Sequence, residues 1–126
     1  MPLFGKNVPY SYKAKYLGGH SAFPKQMDVH LNLLSDYIEI PEFPLRIPYV
    51  KIRNVQSLTQ EKLSAMRLLL VGLLAFAWKK KKLYMLLTFE DEAGVEQNPV
   101  FDVDKIEEVQ PAIYNRMLAV KKQKTI

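Results

Sequence analysis

The sequence predicts a mainly β domain of the α+β class, in which about seven antiparallel strands form a barrel-like sheet capped by a C-terminal amphipathic α-helix. Three observations predict it. Apolar and polar residues alternate over residues 26–33, with the period of a half-buried strand. A segment that is apolar except for Thr88, 83–89, runs into an acidic loop that contains Gly94, as in a hairpin. Apolar residues at helical spacing then form one stripe near the end of the chain.

Composition indicates one domain. The chain has 126 residues, of which 48% are hydrophobic and 25% charged, and this is enough for a single core. We expect one domain over 1–126, with flexible ends at 1–9 and 122–126. The absence of cysteine excludes disulfides and thiolate sites and fits a reducing compartment. With neither a secretory signal nor a transmembrane segment in the pattern, a cytoplasmic protein is expected, with membrane association as an alternative.

The first half of the chain predicts a meander of strands. Aromatic-rich residues 10–17, bounded by Gly18 and Gly19, favour an opening strand, and 26–33 pairs with 37–40 across a turn at Ser35 and Asp36. Three prolines make 42–47 an edge, a bulge or a loop. Residues 49–55 predict another strand, with Lys51 and Arg53 pointing outward, and 60–67 predict a helical turn.

The second half predicts a hairpin followed by a helix. Segment 83–89 suits a central strand buried on both faces, and 95–103 is its partner, interrupted at Pro99. Asp104 is predicted as the helix N-cap, with Glu107 completing a capping box. The helix should bury a stripe on the sheet that comprises Ile106, Val109, Ile113, Met117 and Val120.

The uninterrupted apolar run 68–78 allows three interpretations. It is too short for a helix that crosses a bilayer, which takes about 20 apolar residues. It can be a buried strand with a turn at Gly72, a short buried helix, or an apolar patch that docks on a membrane or a protein. Burial is favoured because large exposed apolar patches are uncommon on soluble monomers.

Five segments of the chain carry a resemblance to a known family: 16–20 (YLGGH), 29–33 (VHLNL), 67–72 (RLLLVG), 75–82 (AFAWKKKK) and 89–92 (FEDE). In this order they resemble a prokaryotic pleckstrin-homology-like (PH-like) family of small cytoplasmic proteins. The resemblance covers roughly residues 16–118 and includes no catalytic signature. It implies a PH-like barrel and a binding or scaffolding role.

Charge is distributed unevenly along the chain. From residue 51 to residue 82 there are eight basic residues and one acid, whereas from 90 to 108 eight acids oppose one lysine. The basic part can attract phosphate, anionic lipid or an acidic protein, or it can be a solvated face. The candidate contacts for an anionic ligand or membrane are Arg67, Phe76, Trp78, Lys79, Lys80, Lys81 and Lys82, because lysines beside aromatic rings are typical of membrane interfaces.

No pattern predicts catalysis, a cofactor or a metal. The two histidines, His20 and His30, lack metal-ligand spacing, and no elbow motif frames Ser21 as a nucleophile. The acids 90–92 are interpreted as a solvated loop. We therefore expect a non-enzymatic domain that binds a protein or itself. The alternative is a peripheral membrane module that uses Lys79–Lys82 with Phe76 and Trp78; nucleic acid is disfavoured because the aromatics are not interleaved with the lysines.

Overall fold

The computed structural model describes residues 11–66 and 82–124. They form eight strands and two helices: β1 Ser11–Gly18, β2 Met27–Leu33, β3 Tyr37–Ile40, β4 Leu45–Pro48, β5 Ile52–Leu58, α1 Gln60–Ala65, β6 Tyr84–Glu90, β7 Glu96–Gln97, β8 Val100–Val103 and α2 Ile106–Lys124. A 3₁₀ turn, Tyr49–Lys51, joins β4 to β5.

The strands form one antiparallel sheet in the order β4-β3-β2-β1-β8-β6-β5, with β7 paired to β6. The sheet curves into a half-barrel, and α2 packs chiefly against β5 and the 3₁₀ turn. Strands in meander order closed by one terminal helix are the arrangement of a PH-like barrel, so the predicted fold class is confirmed.

The described residues form two apolar clusters on opposite faces of the sheet. The larger contains Tyr16, Phe101 and the side chains that most strands point toward α2. Val109, Ile113 and Met117 of α2 belong to the same cluster and are at most 3% exposed. The predicted stripe thus lies on the sheet, with these three residues buried and with Ile106 and Val120 partly buried against the same cluster. In the smaller cluster, Leu63 of α1 packs with Leu17, Tyr84, Leu86 and Val100. Strand β6 contributes to both clusters because successive side chains point to opposite faces, which explains its continuous apolar sequence.

Several boundaries differ from those predicted. Residues 49–51 form the 3₁₀ turn rather than the start of a strand, because the Tyr49 hydroxyl is buried and donates a hydrogen bond to the Leu34 carbonyl at 2.7 Å. The return strand 95–103 is split into β7 and β8 around Pro99. Helix α2 begins at Ile106, two positions after the predicted N-cap Asp104. The backbone N–H of Asp104 donates to the Lys13 carbonyl of β1. The run 68–78 lies outside the described residues, so its three interpretations stay predictions.

The edge of β2 is covered by a side chain where β3 ends. Strand β3 pairs with β2 only at Asn32 and Leu33. Beyond this point Glu42 accepts the backbone N–H of His30 at 2.9 Å and contacts its ring Nδ1 at 2.5 Å. Burial favours the protonated acid, but the hydrogen bonds from His30 outweigh it and hold the pKa of Glu42 below its ordinary value.

The Glu42 contact predicts a pH-dependent contribution to stability. A carboxylate whose pKa is lower in the folded state stabilises that state above its unfolded pKa, and this contribution is lost as pH falls through the folded value. We expect Glu42→Ala to lower the free energy of unfolding by about 1 kcal/mol at neutral pH. Urea unfolding at a pH below the lowered pKa of Glu42 should bring the variant and the wild type together; a difference that is independent of pH would contradict this account.

Candidate functional site

Three connections meet at one end of the sheet and enclose a cleft of about 770 Å³. They are the β1–β2 loop, the β3–β4 hairpin and the β6–β7 turn. The cleft is lined by His20, Ala22, Phe23, Glu39, Pro44, Leu45, Arg46, Pro48, Lys51, Phe89, Glu90, Asp91, Glu92 and Ala93.

The β1–β2 loop is held by a buried tyrosine. The Tyr16 hydroxyl donates to the Phe23 carbonyl at 2.5 Å and accepts the His20 backbone N–H at 3.0 Å. Gly18 and Gly19 both have positive φ, 125° and 104°, a region that side chains with a Cβ rarely adopt. The glycine pair therefore turns the chain at the end of β1, and Tyr16 closes the turn from within the core.

A second network joins this loop to the β6–β7 turn. Gln97, which is 4% exposed, accepts the Ser21 backbone N–H and donates to the Ser21 hydroxyl and to Asp91, all at 2.9 Å. Asp91 also accepts the backbone N–H groups of Ala93 and Val95. The hydrogen bond from Gln97, followed by those of the backbone, lowers the pKa of Asp91. Side-chain hydrogen bonds thus hold the β1–β2 loop against the β6–β7 turn at the cleft.

Aromatic and aliphatic groups form the inner surface of the cleft. The Phe23 ring stacks on Phe43 of the β3–β4 hairpin, with centroids 4.0 Å apart. Phe89 of β6 is 2% exposed, and Pro44 and Leu45 line the side formed by the hairpin. The cleft therefore offers an apolar surface to whatever enters it.

The charges at the cleft are mainly acidic. Among the residues that the structure describes, four carboxylates line it against two cations. Arg46 lies 3.9 Å from Glu39 and Lys51 lies 3.8 Å from Glu90, which Arg53 also contacts at 3.0 Å. These pairs leave Asp91 and Glu92 as a negative excess on the turn. The field of the cleft therefore favours a neutral or positively charged occupant.

Of the predicted anionic-ligand contacts, the structure describes Lys82. Its ammonium donates to Asp102 at 2.7 Å and lies 5.7 Å from the centre of the Tyr84 ring. The hydrogen bond to Asp102 raises the pKa of Lys82 against the opposing effect of burial. Lys82 is thus paired across the sheet to β8. The remaining candidates lie outside the described residues and stay predictions: Arg67, Phe76, Trp78, Lys79, Lys80 and Lys81.

The other sequence candidates have structural partners. The Ser21 hydroxyl accepts from Gln97, while Nδ1 of His20 accepts the backbone N–H of Ala22 at 3.1 Å. No group of three His, Asp or Glu side chains that could hold a metal occurs within 11–66 and 82–124. In the same ranges, no helix is long and apolar enough to cross a bilayer.

Sequence reasoning missed the cleft and the burial of His20 beside it. The glycine pair at 18–19 and the hairpin glycine Gly94 signalled two turns at the ends of strands. Nothing in the local pattern indicated that these turns meet, because Ser21 and Gln97 are 76 positions apart.

No family model matches the sequence, and no curated protein is similar to it at a significant level.

Proposed function

We propose that this protein is a non-catalytic binding domain that takes a segment of a partner protein in the cleft, and that the preferred segment presents an apolar side chain next to lysine or arginine. The observation that carries the proposal is the combination of an apolar inner surface with a negative excess at Asp91 and Glu92. Membership of the PH-like family remains part of the proposal, since a binding role is what that resemblance implies.

The size of the cleft supports a peptide segment as the occupant. A volume of about 770 Å³ lies within the range of sites that enclose a drug-sized ligand, so it can hold a few side chains. Burying one large apolar side chain against Phe23 and Phe89 stabilises a complex by about 2 kcal/mol. Cationic neighbours on the segment would pair with the acidic turn, which contributes more to specificity and association rate than to affinity.

The polar side chains at the cleft serve to hold its loops together, which supports binding over catalysis. Ser21, Gln97 and Asp91 hydrogen-bond to one another and to the backbone. They hold the β1–β2 loop against the β6–β7 turn and so keep the apolar surface in place. Because the loop and the turn are already held together, the backbone ordering cost of association is reduced.

Selection from a display library of short random peptides tests the proposal. We expect enriched sequences to combine a large aliphatic or aromatic residue with lysine or arginine, and their affinity to fall as salt rises. Ala22 is exposed and lines the cleft, so Ala22→Trp should fill the cleft and weaken binding at least about tenfold, roughly 1.4 kcal/mol. The affinity is measured by isothermal titration calorimetry.

The matched control places the same side chain elsewhere. Ala119 is exposed on α2 and does not line the cleft, so Ala119→Trp should bind the selected peptides as the wild type does. Selected peptides that bind Ala22→Trp unchanged would contradict the proposal.

A parallel sedimentation with anionic vesicles tests the alternative, a peripheral membrane module. Vesicle binding that is lost when Lys79–Lys82 become glutamine, and kept in Ala22→Trp, would place the function on the basic segment instead.

A further inference from the structure

One buried polar atom lacks a hydrogen-bond partner within the described part of the chain, and it belongs to the cleft. This atom is Nε2 of His20, whose residue is 8% exposed. Because Nδ1 accepts the Ala22 N–H, the neutral ring carries its proton on Nε2. An unpaired buried donor is rare in folded proteins and is destabilising.

The surroundings of His20 keep the ring neutral. Phe23 and Phe89 pack with ring centroids 4.8 and 5.8 Å from that of the imidazole. Burial among these rings lowers the pKa of His20, while the charge of Asp91 opposes the shift. The carboxylate of Asp91 already accepts from Ala93, Val95 and Gln97. The ring therefore presents an N–H donor that the fold itself does not use.

We propose that the Nε2–H of His20 recognises a hydrogen-bond acceptor on the bound segment, and that this acceptor is a backbone carbonyl. This inference rests on the proposed function. A carbonyl suits the site better than a carboxylate, because four carboxylates already line the cleft and would repel another negative charge.

Binding at Nε2 requires a small local movement. The atom has no contact with solvent, so a segment reaches it only after a neighbouring ring shifts. Phe23 lies in the loop and is half-buried, whereas Phe89 is almost fully buried in β6. Rotation of the Phe23 side chain is therefore the movement expected on binding, a local rearrangement common at protein interfaces.

Nuclear magnetic resonance with two small probes tests this assignment on the wild-type protein. Acetyl-leucine methylamide has an apolar side chain and two carbonyl acceptors, whereas isoamylamine has the same branched chain and a cation but no carbonyl. Both should shift the backbone amides of Phe89, Glu92 and Ala93, which line the cleft. The acetyl-leucine probe alone should also shift the His20 Nε2 resonance.

The two proposals fail in different ways. If the acetyl-leucine probe shifts the cleft amides and leaves Nε2 unchanged, the role of His20 is wrong and the proposed function stands. If neither probe shifts the cleft amides, the proposed function falls and the assignment of His20 falls with it.

Two substitutions at His20 separate recognition from loop structure. His20→Asn keeps an acceptor near the position of Nδ1 for the Ala22 N–H, as in an Asx turn, but it removes the donor at the ε position. His20→Gln provides an amide donor near that position and loses the local acceptor. We expect acetyl-leucine methylamide to bind His20→Asn at least about tenfold more weakly and His20→Gln within about threefold of the wild type. The reverse order of affinities would overturn the assignment and leave His20 as a residue that only holds the loop.

Discussion

Gly19→Ala is expected to lower the free energy of unfolding by more than about 3 kcal/mol. A Cβ at this position would lie 2.1 Å from the carbonyl oxygen of Asn98 and 3.0 Å from the Cα of Pro99. Both neighbours are backbone atoms, so the clash cannot be relieved by rotating a side chain. The positive φ of 104° adds strain that alanine tolerates poorly. Urea unfolding at neutral pH measures the loss.

Gly94→Ala is the matched control for this effect. Gly94 also has a positive φ, 81°, but a Cβ there would meet no atom within 4 Å. Only the backbone strain remains, and we expect a loss of about 1 kcal/mol. Equal losses in the two variants would show that Gly19 is not in close contact with Asn98, and the packing of the β1–β2 loop described above would then be wrong.

Tyr16→Phe is expected to lower the free energy of unfolding by about 2 to 3 kcal/mol without changing the volume of the core. Tyr16 is fully buried, and its hydroxyl donates to the Phe23 carbonyl and accepts the His20 N–H. Phenylalanine fills the same space and leaves both backbone groups without this partner. Thermal and urea unfolding give the loss, and Tyr114→Phe on the exposed face of α2 should be neutral within about 0.5 kcal/mol.

Tyr16→Phe should also loosen the β1–β2 loop, which forms part of the proposed binding cleft. Because the lost hydrogen bonds belong to the loop that carries His20 and Phe23, hydrogen exchange should increase first at the amides of this loop. Uniform loss of protection across the sheet would contradict a local role. Peptides that bind the cleft should partly restore protection, since a ligand of the folded state stabilises it by mass action.

Much of the fold was predictable because it depends on local patterns. Alternation over residues 26–33 specifies which side chains face the core, and β2 occupies Met27–Leu33. The same reasoning located the central apolar strand, the glycine turn at Gly94 and the buried stripe of α2. Boundaries were less predictable where tertiary contacts compete with local preference, as at Tyr49, whose hydroxyl binds the Leu34 carbonyl and begins a turn in place of a strand.

The sequence by itself determined the class of domain, its strands, its terminal helix and the lack of any thiol chemistry, because periodicity and composition act through neighbouring residues. Only the tertiary structure decided that β8 pairs with β1, and that pairing brings Gln97 against Ser21 and Asn98 against Gly19. Lys82, predicted as a contact for an anionic ligand or a membrane, lies against Asp102 because β6 pairs with β8. His20 is buried with an unused donor in part because Phe89, from the distant strand β6, packs against its ring. Contacts between distant segments depend on strand order, and no local pattern encodes that order.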